Sequence, residues 1–151
     1  MTSFRFPLQK VLDWRQKQLE LEEIRFKQQL TALADLDRAR QELNAAGAQA
    51  ETQVRHWNSL AGCDLAALNN FRLNVKHKDQ EIAARRVQCQ ETLNAQQGIM
   101  LEARRRSRLL ERLKDRRLAE WQAARDHELD ELASESFLAS IAASRPPSGE
   151  V

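Results

Sequence analysis

The amino-acid sequence predicts an all-α protein: a long antiparallel two-helix coiled-coil hairpin with an overhanging C-terminal helix. Three observations carry this. Charged residues make up 30% of the 151 residues and aromatics only 5%, with no tyrosine. Such a chain is poor in the bulky side chains of a globular core and rich in Ala, Leu, Gln, Glu and Arg, which are strong helix formers. Turn formers are scarce, with 4 Gly and 3 Pro. Finally, apolar residues recur every seven positions in both halves, with one interruption near Gly62.

The elements follow in order. Residues 1–6 form an N-terminal arm. Pro7 suits the first turn of a helix, where its missing N–H is not needed, and the first coiled-coil helix is expected over 7–61. Gly62 can take the left-handed conformation that ends a helix, and Asp64 can cap the next one. The turn is therefore placed at 62–64 and the second helix at 65–143. Arg145-Pro146-Pro147-Ser148-Gly149 stops that helix, leaving a disordered tail at 144–151. At about 1.5 Å per residue the helices would measure roughly 80 Å and 120 Å, so everything from Leu118 onward would overhang.

The first helix carries one row of Leu12, Leu19, Phe26, Leu33, Arg40, Gly47 and Val54, and a companion row of Leu8, Arg15, Glu22, Gln29, Leu36, Leu43, Ala50 and Trp57. The second carries Leu68, Val75, Ile82, Cys89, Gln96, Ala103 and Leu110, beside Arg72, Asp79, Arg86, Leu93, Met100, Ser107, Lys114 and Trp121. A bend between Ala61 and Asp64 sets Leu36 against Cys89, Leu43 against Ile82, Ala50 against Val75 and Trp57 against Leu68, apolar against apolar at each level. A parallel dimer of extended helices is the alternative. Arg40, Gly47, Asp79 and Arg86 weaken the middle of the seam. Their side chains are expected to snorkel into solvent, and replacing both arginines with Leu is expected to raise the melting temperature.

Aromatic residues gather at the ends. Phe4 is expected to meet Trp121 at the base, with Phe6 and Trp14 nearby. Trp57 is read as a plug closing the seam at the tip. Phe71 lies off both rows and is read as an exposed contact.

Enzymatic chemistry finds little purchase. His56, His77 and His127 are isolated, and no His or Cys pair has metal-ligand spacing. Asp126-His127-Glu128 is an acidic cluster without a second ligand group. Phosphate-binding glycine loops and a nucleophile elbow are absent. No catalytic, cofactor or metal site is therefore expected, and no small-molecule substrate. Cys63 and Cys89 do not make a disulfide framework. No apolar run approaches the roughly 18 residues of a membrane span, and none opens the chain as a signal peptide would. A cytoplasmic protein is expected.

The net charge of +2 names no partner, but the charge is unevenly placed. Arg104, Arg105, Arg106, Arg108, Arg112, Lys114, Arg116 and Arg117 stand against only Glu111 and Asp115. Such a run can dock on nucleic acid, an acidic membrane or an acidic protein. A leucine zipper does not follow it. Asp126, Glu128, Asp130, Glu131 and Glu135 do, and these repel phosphates. A protein partner is favoured over DNA.

The start, Phe4-Arg5-Phe6-Pro7-Leu8-Gln9-Lys10-Val11-Leu12-Asp13-Trp14-Arg15, runs straight into a long helix. Near the end, Leu110-Glu111-Arg112-Leu113-Lys114-Asp115-Arg116-Arg117 and Glu120-Trp121 lead to an acidic Glu128-Leu129-Asp130-Glu131-Leu132-Ala133. Over nearly its whole length the chain resembles the FliJ family of flagellar protein-export components. The resemblance implies a monomeric hairpin like the central stalk of rotary ATPases, seated in the ring of the hexameric export ATPase. It also implies contact with the export gate, a membrane protein, and with export chaperones, at a cytoplasmic site peripheral to the inner face of the cell membrane. Arg5, Arg15, Arg105, Arg112 and Arg116 become the expected ATPase contacts at the base, and Phe71 the expected gate contact near the tip. An injectisome stalk counterpart and a generic coiled-coil tether or nucleic-acid-binding rod are the rival readings.

Overall fold

The computed structural model describes residues 3–144. Two helices pack against each other, α1 (Gln9–Arg55) and α2 (Gly62–Ser144), and no strand occurs among the described residues. The expected all-α helical hairpin is the fold. It comprises two compact units: residues up to Gln16 with those from Arg105 onward, and Lys17–Arg104. Of the tail expected at 144–151, Ser144 is helical. Residues 145–151, like residues 1–2 of the N-terminal arm, lie outside the described residues.

Pro7 occupies the turn just before α1, and the Gln9 N–H closes that turn on the Phe6 carbonyl at 3.2 Å. The other helix ends differ from expectation. α1 stops at Arg55, where His56 and Trp57 donate to the carbonyls of Gln53 and Val54, each at 3.2 Å. Such bonds to the third residue back tighten a last turn. The link is thus 56–61 rather than 62–64. Gly62 opens α2 instead of ending α1, and no described residue has a left-handed backbone. Asp64 does cap α2, but from inside it. Its carboxylate accepts the Ala61 N–H at 3.0 Å, and the Asp64 N–H donates to the Ala61 carbonyl at 3.1 Å. This is the backward-reaching half of a capping box.

Within Lys17–Arg104 the earlier bend moves the register. Val75 packs on Gly47, with Cγ1 3.5 Å from where a β-carbon would stand, three residues nearer the start of α1 than the expected Ala50. The Cys89 thiol lies 3.9 Å from the Gln29 carbonyl, further toward the start of α1 than Leu36. Trp57 plugs nothing. It falls in the link and is 52% exposed. Apart from Leu8, Trp57 and Arg72, every residue of the four seam rows is buried or half-buried.

Full burial is confined to a few side chains, as expected when two helices bury a stripe. In the Lys17–Arg104 unit these are Leu93, Met100 and Glu22. Glu22 accepts Arg25 at 2.9 Å and the side-chain amide of Gln96. In the other unit they are Phe6, Leu12 and Ser107. Ser107, 1% exposed, donates to Glu111 at 3.4 Å, and Gln16 donates to the same carboxylate at 3.2 Å.

Candidate protein-binding surfaces

The basic run divides according to its position on α2. Arg104 turns toward α1 and pairs with Glu23 at 3.2 Å. Arg117 pairs with Glu120 at 3.2 Å on its own helix. Arg105, Arg112 and Arg116 point outward and are exposed, with exposed Leu109 among them. Spacings of three and four residues stack these side chains on one helix face.

The five arginines expected to bind a ring-shaped partner all lie in one compact unit. Arg5 lines an open cleft of about 1000 Å³ with Phe4, Pro7, Arg117, Glu120 and Trp121. Phe4 and Trp121 meet as expected, ring centroids 6.0 Å apart and planes tilted by 53°. The Arg125 guanidinium stacks on the Trp121 ring 5.3 Å from its centroid, and the Arg15 guanidinium sits 4.8 Å from the ring of Trp14. In both contacts a guanidinium group lies over an indole ring, a cation–π arrangement.

Phe71 belongs to the Lys17–Arg104 unit and is 39% exposed. It borders a shallow depression shared with Gly47, Glu51, Arg72, Val75 and Asp79. Arg72 there reaches Glu51 of α1 at 2.9 Å.

The seam's polar side chains remain partly in solvent, as expected from sequence, but they are also paired across the two helices. Arg40 of α1 grips Asp79 of α2 through two bonds of 2.7 and 3.2 Å, and Arg86 of α2 reaches Asp37 of α1 at 2.5 Å. The hydrogen bond to Asp79, then its charge, raises Arg40 above the ordinary guanidinium range, and Asp37 does the same for Arg86. Asp37 lies off the seam rows, so the rows alone could not show this pairing.

The sequence reading also missed an apolar stretch. From Asp126 to Ser144 every residue of α2 is exposed, including Leu129, Leu132, Phe137, Leu138 and Ile141. The overhang begins after half-buried Arg125, not at Leu118, because the N-terminal arm extends the packing as far as Trp121. The spacings of three and four within Leu129–Leu132 and within Phe137, Leu138 and Ile141 were the available signal. Among the described residues, no group of three or more His, Cys, Asp or Glu side chains is placed to hold a metal ion. His127 pairs instead with Glu131 at 3.3 Å. No described helix is long and apolar enough to cross a membrane. Comparison with known proteins finds no matching family model, no matching curated protein and no matching solved structure.

Proposed function

We propose that this chain is a non-enzymatic stalk and adaptor of a flagellar type III protein-export apparatus. As a single hairpin it docks on the hexameric export ATPase. It links that ATPase to the export gate and to substrate chaperones, on the cytoplasmic side and peripheral to the membrane. The observation that carries the reading is that Arg5, Arg15, Arg105, Arg112 and Arg116 all belong to the compact unit that also holds the Phe4–Trp121 contact. A partner with acidic loops around a central opening complements such a surface. Exposed charges of this kind speed encounter more than they tighten the complex, and salt screens them.

Reversing Arg105, Arg112 and Arg116 to Glu tests the reading. The triple variant should keep its helicity, because all three side chains are exposed. It should lose ATPase binding and stimulation, and the wild-type interaction should fade as salt rises. Phe71→Ala should leave ATPase binding intact and reduce capture of the export gate. Unchanged ATPase affinity in the triple variant would remove the base as docking surface. Tight, salt-sensitive binding of duplex DNA with none to the ATPase would assign the chain to the nucleic-acid class.

A further inference from the structure

The exposed face of α2 that begins at Arg105 does not end with the basic run. Steps of three and four lead from Arg105 through Leu109, Arg112, Arg116, Ala119, Ala123 and Asp126 to Asp130, Ala133 and Phe137, and every one of these residues is exposed. Ile141 follows one turn on. This face has a basic half with one leucine, a centre of two alanines, and an acidic half ending in apolar side chains. Leu109 is 59% exposed and Phe137 64%. Between 126 and 144 there are five acids and no Lys or Arg, namely Asp126, Glu128, Asp130, Glu131 and Glu135. Among the described residues no ion pair engages Arg112, Arg116, Asp130 or Glu135.

We propose that this face is the interface of an antiparallel dimer of the chain, with its twofold axis at Ala123. A twofold interface must complement itself, so each residue meets its counterpart across the axis. Centred on Ala123, Leu109 of one copy meets Phe137 of the other, Arg116 meets Asp130, Arg112 meets Ser134 beside Glu135, and Arg105 meets Ile141. Every such contact occurs twice. Parallel pairing would stack arginine on arginine and acid on acid, so charge selects the antiparallel form. The small Ala119 and Ala123 let the helices approach closely at the axis. Glu120 of one copy and Asp126 of the other meet at the same level beside the axis, but each is already held by its own arginine, Arg117 and Arg125. The paired stretch runs for roughly 55 Å at about 1.5 Å per residue. It covers Arg112 and Arg116, so a dimer could not offer them to another acidic partner. The inference stands whether or not that partner is an ATPase.

The test uses the full chain. Sedimentation equilibrium at tens of micromolar should give a dimer at low salt that dissociates as salt rises. Leu109→Glu and Phe137→Glu should each weaken it by ~10-fold or more, the scale of losing one well-packed anchor, with helicity retained. Arg116→Asp should weaken it, and adding Asp130→Arg to the same chain should restore it. Ala123→Cys, with Cys63 and Cys89 replaced by Ser, should form a disulfide between copies on mild oxidation, because this axis places residue 123 beside itself; Leu109→Cys in the same background should not, because only parallel pairing would place residue 109 beside itself. A single-chain mass throughout, a dimer indifferent to both glutamate variants, or a dimeric Ala123→Cys sample that does not cross-link would overturn the proposal.

Discussion

Asp37, Arg40, Asp79 and Arg86 join the helices by ion pairs that run in opposite senses, one arginine on each helix. All four side chains are partly exposed, so solvent screens the pairs and their net contribution is modest. Removing only the arginines is another matter. Arg40→Leu with Arg86→Leu strands two carboxylates at the interface, and breaking one side of a pair costs more than the intact pair contributes. The double variant is therefore expected to melt below wild type, reversing the sequence expectation. Replacing all four residues with apolar ones is expected to melt above it. Thermal unfolding followed by circular dichroism checks both, and a double variant that melts higher would mean the aspartates are fully hydrated. Because the ionised carboxylates of Asp79 and Asp37 hold both arginines above their usual range, this part of the stability is present at neutral pH and is lost as pH rises through the guanidinium range. A simpler case is Gly98, an interior residue of α2 with nothing within 4 Å of a β-carbon placed on it. Gly98→Ala is expected to stabilise the chain by about 1 kcal/mol, the difference in helix propensity. Urea denaturation measures it, and destabilisation would reveal a close contact.

At the scale of elements, the seven-residue repeat identified both helices and the face that each buries, down to polar members such as Glu22, Gln96 and Ser107. The repeat says nothing about where a helix stops. Gly62 has the chemistry of a helix end, but polar His56, Asn58 and Ser59 and the backward cap from Asp64 end α1 and start α2 earlier. Two seven-residue rows pair equally well in several registers, so the bend alone selects one, and an error at the bend passes to every level. Among site residues, the exposure of Arg105, Arg112, Arg116 and Phe71 was legible because all four lie off the rows. The partners of Arg40 and Arg86 were not, because reach across an interface depends on register. Cross-linking checks the shift. In a background without Cys63 and Cys89, Gly47→Cys with Val75→Cys is expected to form an intramolecular disulfide more readily than Ala50→Cys with Val75→Cys. Preference for the latter would restore the unshifted register.

On the whole-molecule scale, the surfaces assigned to different partners belong to different compact units: the arginine surface to the unit holding both chain ends, Phe71 to Lys17–Arg104. The link between the helices belongs to neither surface. Residues 56–61 are all exposed, including Trp57 and Leu60. Its role is to hold α1 and α2 at a high effective concentration, which a short tether sets in the millimolar range or above. Cutting the chain there removes few packed contacts but turns the partnership of the helices into a bimolecular one. Separate fragments 1–58 and 59–151 are expected to be poorly helical alone, since a long helix with only one apolar stripe depends on its partner. Mixed, they should regain helicity, with a midpoint that rises with concentration, whereas the midpoint of this interaction in the intact chain is independent of concentration. Two halves that find each other in this way would make the bend a site where the chain can be opened, lengthened or carry an inserted domain without rewriting either helix.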